Sequence, residues 1–362
     1  MDVGLVGLPQ VGKTALLAAL AGASAAHLSG GGALKPNIAV APIPDPRLQT
    51  IATFIPTKKI VHASLQVVDV PGLSLGASEG KGTANAFLSH VRQMDAICQV
   101  VRCVEDPSVA HVKGSIDPAR DIDLLDVELA FADLAVVEGA MDKAARAARG
   151  NDADAKARLA VLEKAQPVLA DFKPLRSAGP WTKPEQLILR GYGMITAKPV
   201  LYVANVGEDD LKGESDHAKA VERVARERGG RSVAICAKLE AEIAEFDDAG
   251  RKEMLESLGL SEPAIGPLAR ALNDLLGLSV FYTAGEKEVR AWVIPQGATA
   301  PEAAGAIHSD IQRGFIRAET YSVDDLAHYR TEKAIKEAGK MRSEGKAYVM
   351  RDGDVVHFLF NV

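Results

Sequence analysis

The stretch Gly7-Leu8-Pro9-Gln10-Val11-Gly12-Lys13-Thr14 constrains this chain more than any other feature. It follows a short apolar run, residues 2–6, and precedes Leu16, Leu17 and Leu20 at helical spacing. A G-x-x-x-x-G-K-T loop between a strand and a helix is built to cradle phosphate. The glycines let backbone N–H groups curl around phosphate oxygens, Lys13 reaches the β- and γ-phosphates, and the Thr14 hydroxyl ligates Mg²⁺. The helix that follows aims its positive end at the anion. Gln10, Val11, Gly12, Lys13, Thr14 and the next residue, Ala15, are therefore the expected nucleotide contacts, with Lys13 also stabilising phosphate charge during reaction. From average residue frequencies, chance alone gives such a match in roughly one chain in a hundred of this length. The flanking strand and helix argue against chance.

Further apolar runs at 61–70, 96–101, 200–204 and 232–236 alternate with helical patterns. That rhythm predicts an α/β fold with a parallel sheet covered on both faces. Asp69-Val70-Pro71-Gly72 closes one of these strands. Asp69 is placed to hold Mg²⁺ through water, and the Gly72 N–H to meet the γ-phosphate. The D-x-x-G spacing alone is weak, because Asp247-Asp248-Ala249-Gly250 shares it and a turn-forming Asp fits as well. Its position after the phosphate loop favours the metal role. Asn205-Val206-Gly207-Glu208 follows the 200–204 strand. Guanine readers carry N-K-x-D at this place, where the Asp accepts two N–H bonds from the guanine edge; adenine offers no such pair. With no Lys, and Glu in place of Asp, Asn205, Val206 and Glu208 read as an adenine site. An ordinary strand-end turn is the alternative. Unmade polar pairs cost about 1–3 kcal/mol each, enough to reverse a base preference. Cys236-Ala237-Lys238, after the next strand, is placed to approach the base through its backbone.

Two regions break the rhythm. Ile122, Leu125, Leu129, Ala132, Val136 and Met141, then Leu159, Leu162 and Val168, recur at helical spacing on either side of Gly150-Asn151-Asp152. This predicts an inserted helical hairpin. From Leu278 a small α+β domain is expected, with a helix from Ala300 to Phe315 and a closing β-hairpin of 347–350 with 355–358. The expected division is a nucleotide-binding domain at 1–120 and 196–277, a helical insert at 121–195, and a small domain at 278–362. Of the 362 residues, 47% are hydrophobic and 25% charged, which excludes a disordered or fibrous chain. A net charge of −6 argues against a basic nucleic-acid coat and against sequence-specific DNA binding. Three cysteines, Cys98, Cys103 and Cys236, make neither a disulfide framework nor a zinc cluster. No apolar run is long enough for a membrane span. The opening Met1-Asp2-Val3-Gly4 lacks a basic leader, so the cytoplasm is the expected compartment.

The P-loop, D-x-x-G and N-x-x-E, in this order, resemble the YchF/Obg-like ATPase family, a branch of the Obg-related GTPase superclass. Supporting stretches include Pro44-Asp45-Pro46-Arg47-Leu48, Val100-Val101-Arg102-Cys103, Phe281-Tyr282-Thr283-Ala284-Gly285, Gly314-Phe315-Ile316-Arg317-Ala318 and Phe360-Asn361-Val362. The likeness runs over nearly the whole chain. It implies a G domain interrupted by a helical hairpin, then a C-terminal TGS domain. It also implies Mg²⁺-dependent hydrolysis of ATP to ADP and phosphate, preferred over GTP, on the ribosome, with the large subunit and its RNA as partners; slow turnover is expected from this chain's own departures at Gln10 and Ala33. Leu73 falls where many GTPases carry a water-positioning Gln, and leucine cannot orient water. His111 in Ala110-His111-Val112 matches the histidine that members of the family use instead. Read by itself, His111 is a loop or packing histidine.

The resemblance departs in two places. Relatives carry Asn, which helps to ligate a monovalent ion in cation-dependent members, where this chain has Gln10; K⁺ dependence is left open. The expected switch threonine is replaced by Ala33, inside Gly30-Gly31-Gly32-Ala33-Leu34-Lys35. These departures keep two alternatives in play, a nucleotide-binding ribosome adaptor with negligible hydrolysis and an Obg-type GTPase. Lys143, Arg146 and Arg149 on the hairpin, and Lys333, Lys336 and Lys340 near the end, fit either a solvated face or RNA contact. Asp121, Asp123 and Asp126 are expected as helix N-terminal charges.

Overall fold

The structure, a computed structural model, describes residues 1–21, 37–70, 82–150 and 152–361. In chain order the first elements are β1 (Asp2–Val6), α1 (Lys13–Ala21), β2 (Asn37–Pro42), α2 (Pro46–Phe54), β3 (Ile60–Val61), β4 (Ser64–Asp69), α3 (Gly82–Gln93) and β5 (Ala96–Arg102). There follow α4 (Pro118–Ala148), α5 (Ala153–Ala170), α6 (Lys183–Gly191), β6 (Val200–Asn205), α7 (Asp216–Glu227), β7 (Arg231–Ile235), α8 (Ala237–Glu245), α9 (Asp248–Ser257) and α10 (Ile265–Leu275). The last are β8 (Leu278–Ala284), β9 (Val289–Pro295), α11 (Ala300–Ile307), α12 (Ser309–Arg313), β10 (Phe315–Ser322), α13 (Val323–Tyr329), α14 (Glu332–Glu337), β11 (Arg342–Glu344) and β12 (Asp354–Phe360). Two compact units result: Met1–Val40 with Gln66–Ala271, and Ala41–Leu65 with Leu272–Val362. Among the described residues no helix is long and apolar enough to cross a membrane.

In the first unit a six-stranded sheet runs in the order β2-β4-β1-β5-β6-β7. From β4 to β7 every neighbouring pair is parallel. Every residue of β5 is buried, as a strand covered by helices on both faces requires. Val6, Ile97, Val101 and Val200 pack with Phe87 and Val91 of α3, Ile122 and Leu125 of α4, Val221 of α7 and Leu239 of α8. Because these strands are parallel, their carboxyl ends share one edge. The phosphate loop, Asp69, Arg102, Asn205 and Cys236 all stand at that edge.

Helix α4 has 31 residues, about 46 Å at 1.5 Å per residue. Asp117 caps it, accepting from the Arg120 N–H at 3.1 Å, with Pro118 in the first turn. Its first half joins the sheet core through Ile122, Leu125 and Leu129. Its second half packs Ala130, Val137 and Ala144 with Val161, Leu162, Ala165 and Leu169 of α5. The short connection between them makes the expected helical hairpin. Buried Asp133 accepts from the Ile195 and Thr196 N–H groups, the Thr196 hydroxyl and Arg92. It thereby docks the chain returning to β6. Asp126 pairs with Arg176 and Arg228, and Asp123 with Arg228. These acids are ion-pair anchors, not the simple helix-terminal charges that their spacing implied.

The second unit holds a mixed six-stranded sheet, β11-β10-β12-β8-β9-β3. Phe281, Phe315 and Phe358 meet edge to face in its core. The expected closing β-hairpin is absent. β12 lies between β10 and β8, antiparallel to the first and parallel to the second. Val349 makes only an isolated bridge with Thr299. The cause is Asp354, 2% exposed, which accepts from the Arg351 N–H, the Tyr348 hydroxyl and Arg342 and folds 348–353 into a turn. The helix expected from Ala300 to Phe315 breaks at His308, whose backbone is extended and whose Nδ1 accepts from the Asp310 N–H.

Residues 41–65, expected inside the 1–120 domain, pack with the C-terminal residues instead. β3 pairs with β9. Asp45 caps α2 and accepts from Arg47 and from the Tyr282 hydroxyl, while Arg47 reaches Asp352 at 2.5 Å and lies 5.3 Å over the Tyr282 ring.

Candidate functional site

The loop after β1 closes on itself before any ligand is considered. Gly7 approaches β5 so closely that a Cβ there would stand 2.5 Å from the Val100 carbonyl oxygen. Gly12, at φ +97°, has its missing Cβ position 2.2 Å from Asn205 Nδ2. Any side chain at Gly12 would displace Asn205. Gln10 adopts φ +63°, a left-handed conformation costly for a residue other than Gly, Asn or Asp.

Asn205 joins two loops. Its Nδ2 donates to the Val11 carbonyl at 2.9 Å, and its Oδ1 accepts from the Ala237 N–H at 3.0 Å. Asn205, expected at the base, lines the cavity while both ends of its amide hold the scaffold. Val206 is buried and donates its N–H to the Ile235 carbonyl. Cys236 is 5% exposed and forms the N-cap of α8. Burial pushes its thiol above the usual range. Glu208 pairs with Lys238 across 3.0 Å, both exposed. Lys238 is expected to offer its backbone to the base; the ion pair of its side chain is a property of the fold.

On the phosphate side, Lys13 donates to the Gly7 and Leu8 carbonyls at 2.9 and 2.8 Å. Burial pushes its pKa from 10.5 down to about 8, against the pull of Asp69. Asp69 is shifted the other way by the same cause, burial, which Lys13 opposes. Asp69 Oδ1 is buried with no hydrogen-bond partner. The Thr14 side chain lies open on the first turn of α1. An orphaned carboxylate oxygen and a free hydroxyl form an all-oxygen donor set, which fits Mg²⁺. Gly72, Leu73 and Ala33 lie outside the described residues.

A cavity of about 580 Å³ opens beside these groups. Gln10, Gly12 and Ala15 form one wall, Asn205 to Asp209 and Cys236 to Lys238 a second. The third wall is the loop after β5, Val104 to Val109, which sequence reasoning missed. Arg102, 4% exposed, holds that loop. Its guanidinium donates to the carbonyls of Val104, Asp106 and Val109 at 3.0 to 3.2 Å. A larger cleft, about 700 Å³, lies at the opposite end of the strands near Asp95 and Pro199. It has no phosphate loop, and ligands of open α/β sheets bind at the carboxyl edge.

His111 is farther along the same loop and does not line the cavity. Its Nε2 lies 2.9 Å from Asp121 Oδ2 in the first turn of α4, and its Nδ1 accepts from the Lys113 N–H at 3.1 Å. Both ring nitrogens are engaged, and the side chain is 6% exposed.

Comparison with known proteins agrees with this geometry. The model of the 50S ribosome-binding GTPase family matches residues 2–129. The YchF-GTPase C-terminal family model, described as a protein of unknown function, matches residues 278–361. The ribosome-binding ATPase YchF of Escherichia coli O157:H7 is 46% identical over 361 residues, 99% of each chain. That of Bacillus subtilis is 42% identical over 367 residues, 100% of each. The structure of the Schizosaccharomyces pombe YchF GTPase superposes with a TM-score of 0.86 at 33% identity, covering 99% of this chain and 97% of the other. With relatives of this identity over their full length, the chain belongs to the YchF family.

Proposed function

We propose that this protein is a ribosome-associated, Mg²⁺-dependent ATPase that hydrolyses ATP to ADP and phosphate in preference to GTP. One observation carries the reading. A phosphate loop, Asp69 and the Asn205–Glu208 turn converge on one edge, in a chain 46% identical over its length to a ribosome-binding ATPase. In the reaction the water oxygen bonds to the γ-phosphorus. The bond from that phosphorus to the bridging oxygen breaks, its electron pair stays on ADP, and a water proton passes to solvent.

Lys13 exchanges its two carbonyl acceptors for phosphate oxygens. Thr14 and Asp69 would hold Mg²⁺, which when bound neutralises charge on the β- and γ-phosphates. Gly72 senses the γ-phosphate, and His111 orients the attacking water. Gln10, Val11, Gly12 and Ala15 shape the phosphate wall. Val206, Glu208, Cys236 and Ala237 shape the base wall, with Asn205 fastening the two. The Lys238 pairing engages one oxygen of Glu208. The C-terminal residues 278–362 serve as the TGS domain, and the helical insert 121–195 as the arm toward ribosomal RNA of the large subunit.

Calorimetric titration of ATP and of GTP, each with Mg²⁺, into nucleotide-free protein tests the reading. ATP is expected to bind at least tenfold tighter, a difference of about 1.4 kcal/mol. Equal or tighter GTP binding overturns the base assignment.

A further inference from the structure

We propose that Asp121 is a positioning residue that holds His111 away from the reaction, so that turnover requires this contact to open. The proposal rests on the reading of His111 as the water-orienting residue. Because Nδ1 accepts from the Lys113 N–H, the ring proton resides on Nε2 and is donated to Asp121. Arg120 donates to the other Asp121 oxygen through Nε and Nη2, at 3.1 and 2.9 Å. It also reaches the Ser115 carbonyl at 2.6 Å. Side-chain exposures of 6% for His111 and 3% for Asp121 keep water from competing for the bond. In this arrangement His111 has no ring nitrogen left for water.

The loop is fastened at both ends, and the contact of His111 with Asp121 is made by side chains alone. Arg102 holds 104–109, and Arg120 with Asp121 holds 111–115. Gly114, at φ +76°, closes a turn by donating its N–H to the His111 carbonyl, and no atom lies within 4 Å of where its Cβ would be. His111 can therefore swing without unmaking the cavity wall that Arg102 maintains. The acceptor stands on the first turn of α4, whose far half is the helical hairpin.

Single-turnover ATP hydrolysis is measured for wild type, Asp121→Asn, Asp121→Ala, His111→Ala and the double variant His111→Ala with Asp121→Ala. Modification of His111 by diethylpyrocarbonate, located by peptide mass mapping, gives a readout independent of hydrolysis. Asp121→Asn keeps the shape and removes the charge-assisted bond. It is expected to raise hydrolysis about three- to tenfold and to make His111 reactive, with the double variant as slow as His111→Ala. If Asp121→Ala does not fold, Asp121→Asn decides alone. Undiminished hydrolysis in His111→Ala overturns the catalytic reading and leaves the reactivity assay to judge the contact. Slow hydrolysis in His111→Ala, with no acceleration in a folded Asp121 variant, overturns the latch. Unchanged His111 reactivity in that variant does the same.

Discussion

On the base side of the cavity, Asn205 commits both ends of its amide to Val11 and Ala237, and Arg102 commits its guanidinium to three loop carbonyls. On the phosphate side, Asp69 Oδ1 is buried without a partner, Lys13 is pushed down to about 8, and Gln10 sits in a left-handed conformation. Satisfied polar groups hold a scaffold in shape without ligand. Unsatisfied, desolvated or strained ones raise the energy of the empty site, and binding of an anion and a cation relieves it. The difference separates residues that fold the site from residues that use it.

The sharpest way to break this comparison is to remove one residue from each side. Lys13→Met removes a buried charge that folding disfavours. The relief of that burial offsets the loss of the bonds to the Gly7 and Leu8 carbonyls, so urea stability of the nucleotide-free protein should stay within about 1 kcal/mol, while ATP binding weakens about a hundredfold, at 1.5–3 kcal/mol for a charged hydrogen bond lost. A loss of several kcal/mol in folding would place Lys13 on the scaffold side. Asn205→Ala should do the reverse. It strands the Val11 carbonyl and the Ala237 N–H and costs about 2 kcal/mol of stability in the nucleotide-free protein. Unchanged urea melting would show that the two loops are held by something else.

A smaller effect is the proton linkage of Lys13. Its folded value of about 8 lies below the 10.5 of an ordinary lysine, so from pH 8 to 10 the unfolded chain binds a proton that the folded chain has released. Stability of the nucleotide-free protein should therefore gain a rising contribution across that window, absent from Lys13→Met. Phosphate raises the lysine again, so ATP binding should take up a proton there, read by calorimetry in buffers of different ionisation enthalpy. The smallest is Gln10→Asn. Asn tolerates φ +63° better, and a gain of about 0.5 kcal/mol is expected in thermal melting.

Much of this arrangement is legible in the amino-acid sequence alone. The phosphate loop declares itself because glycine and lysine spacing is dictated by the anion, and the apolar runs of β1, β5, β6 and β7 declare a covered parallel sheet. The rest depends on partners distant in sequence. Nothing near Asn205 tells that it spans Val11 and Ala237, because those contacts are set by strand order. Asp126 and Asp133 look like surface charges on a helix until Arg176, Arg228 and Thr196 are brought to them. His111 is legible as a residue of interest through its likeness to relatives, but its seat against Asp121 is a property of the fold. The turn at 348–353 imitates a hairpin locally and is overruled by Asp354.

The capture of residues 41–65 by the C-terminal residues also has a consequence in time. Ile60 pairs with Val289, a partner that leaves the ribosome roughly 230 residues later. At about 5–20 residues per second of synthesis, that is a wait on the order of 10–45 s. During it the segment between β2 and β4 has no sheet to join, and α2 lacks Tyr282 and Asp352. The nascent chain thus has a built-in order of completion, in which this early segment is among the last to find its place.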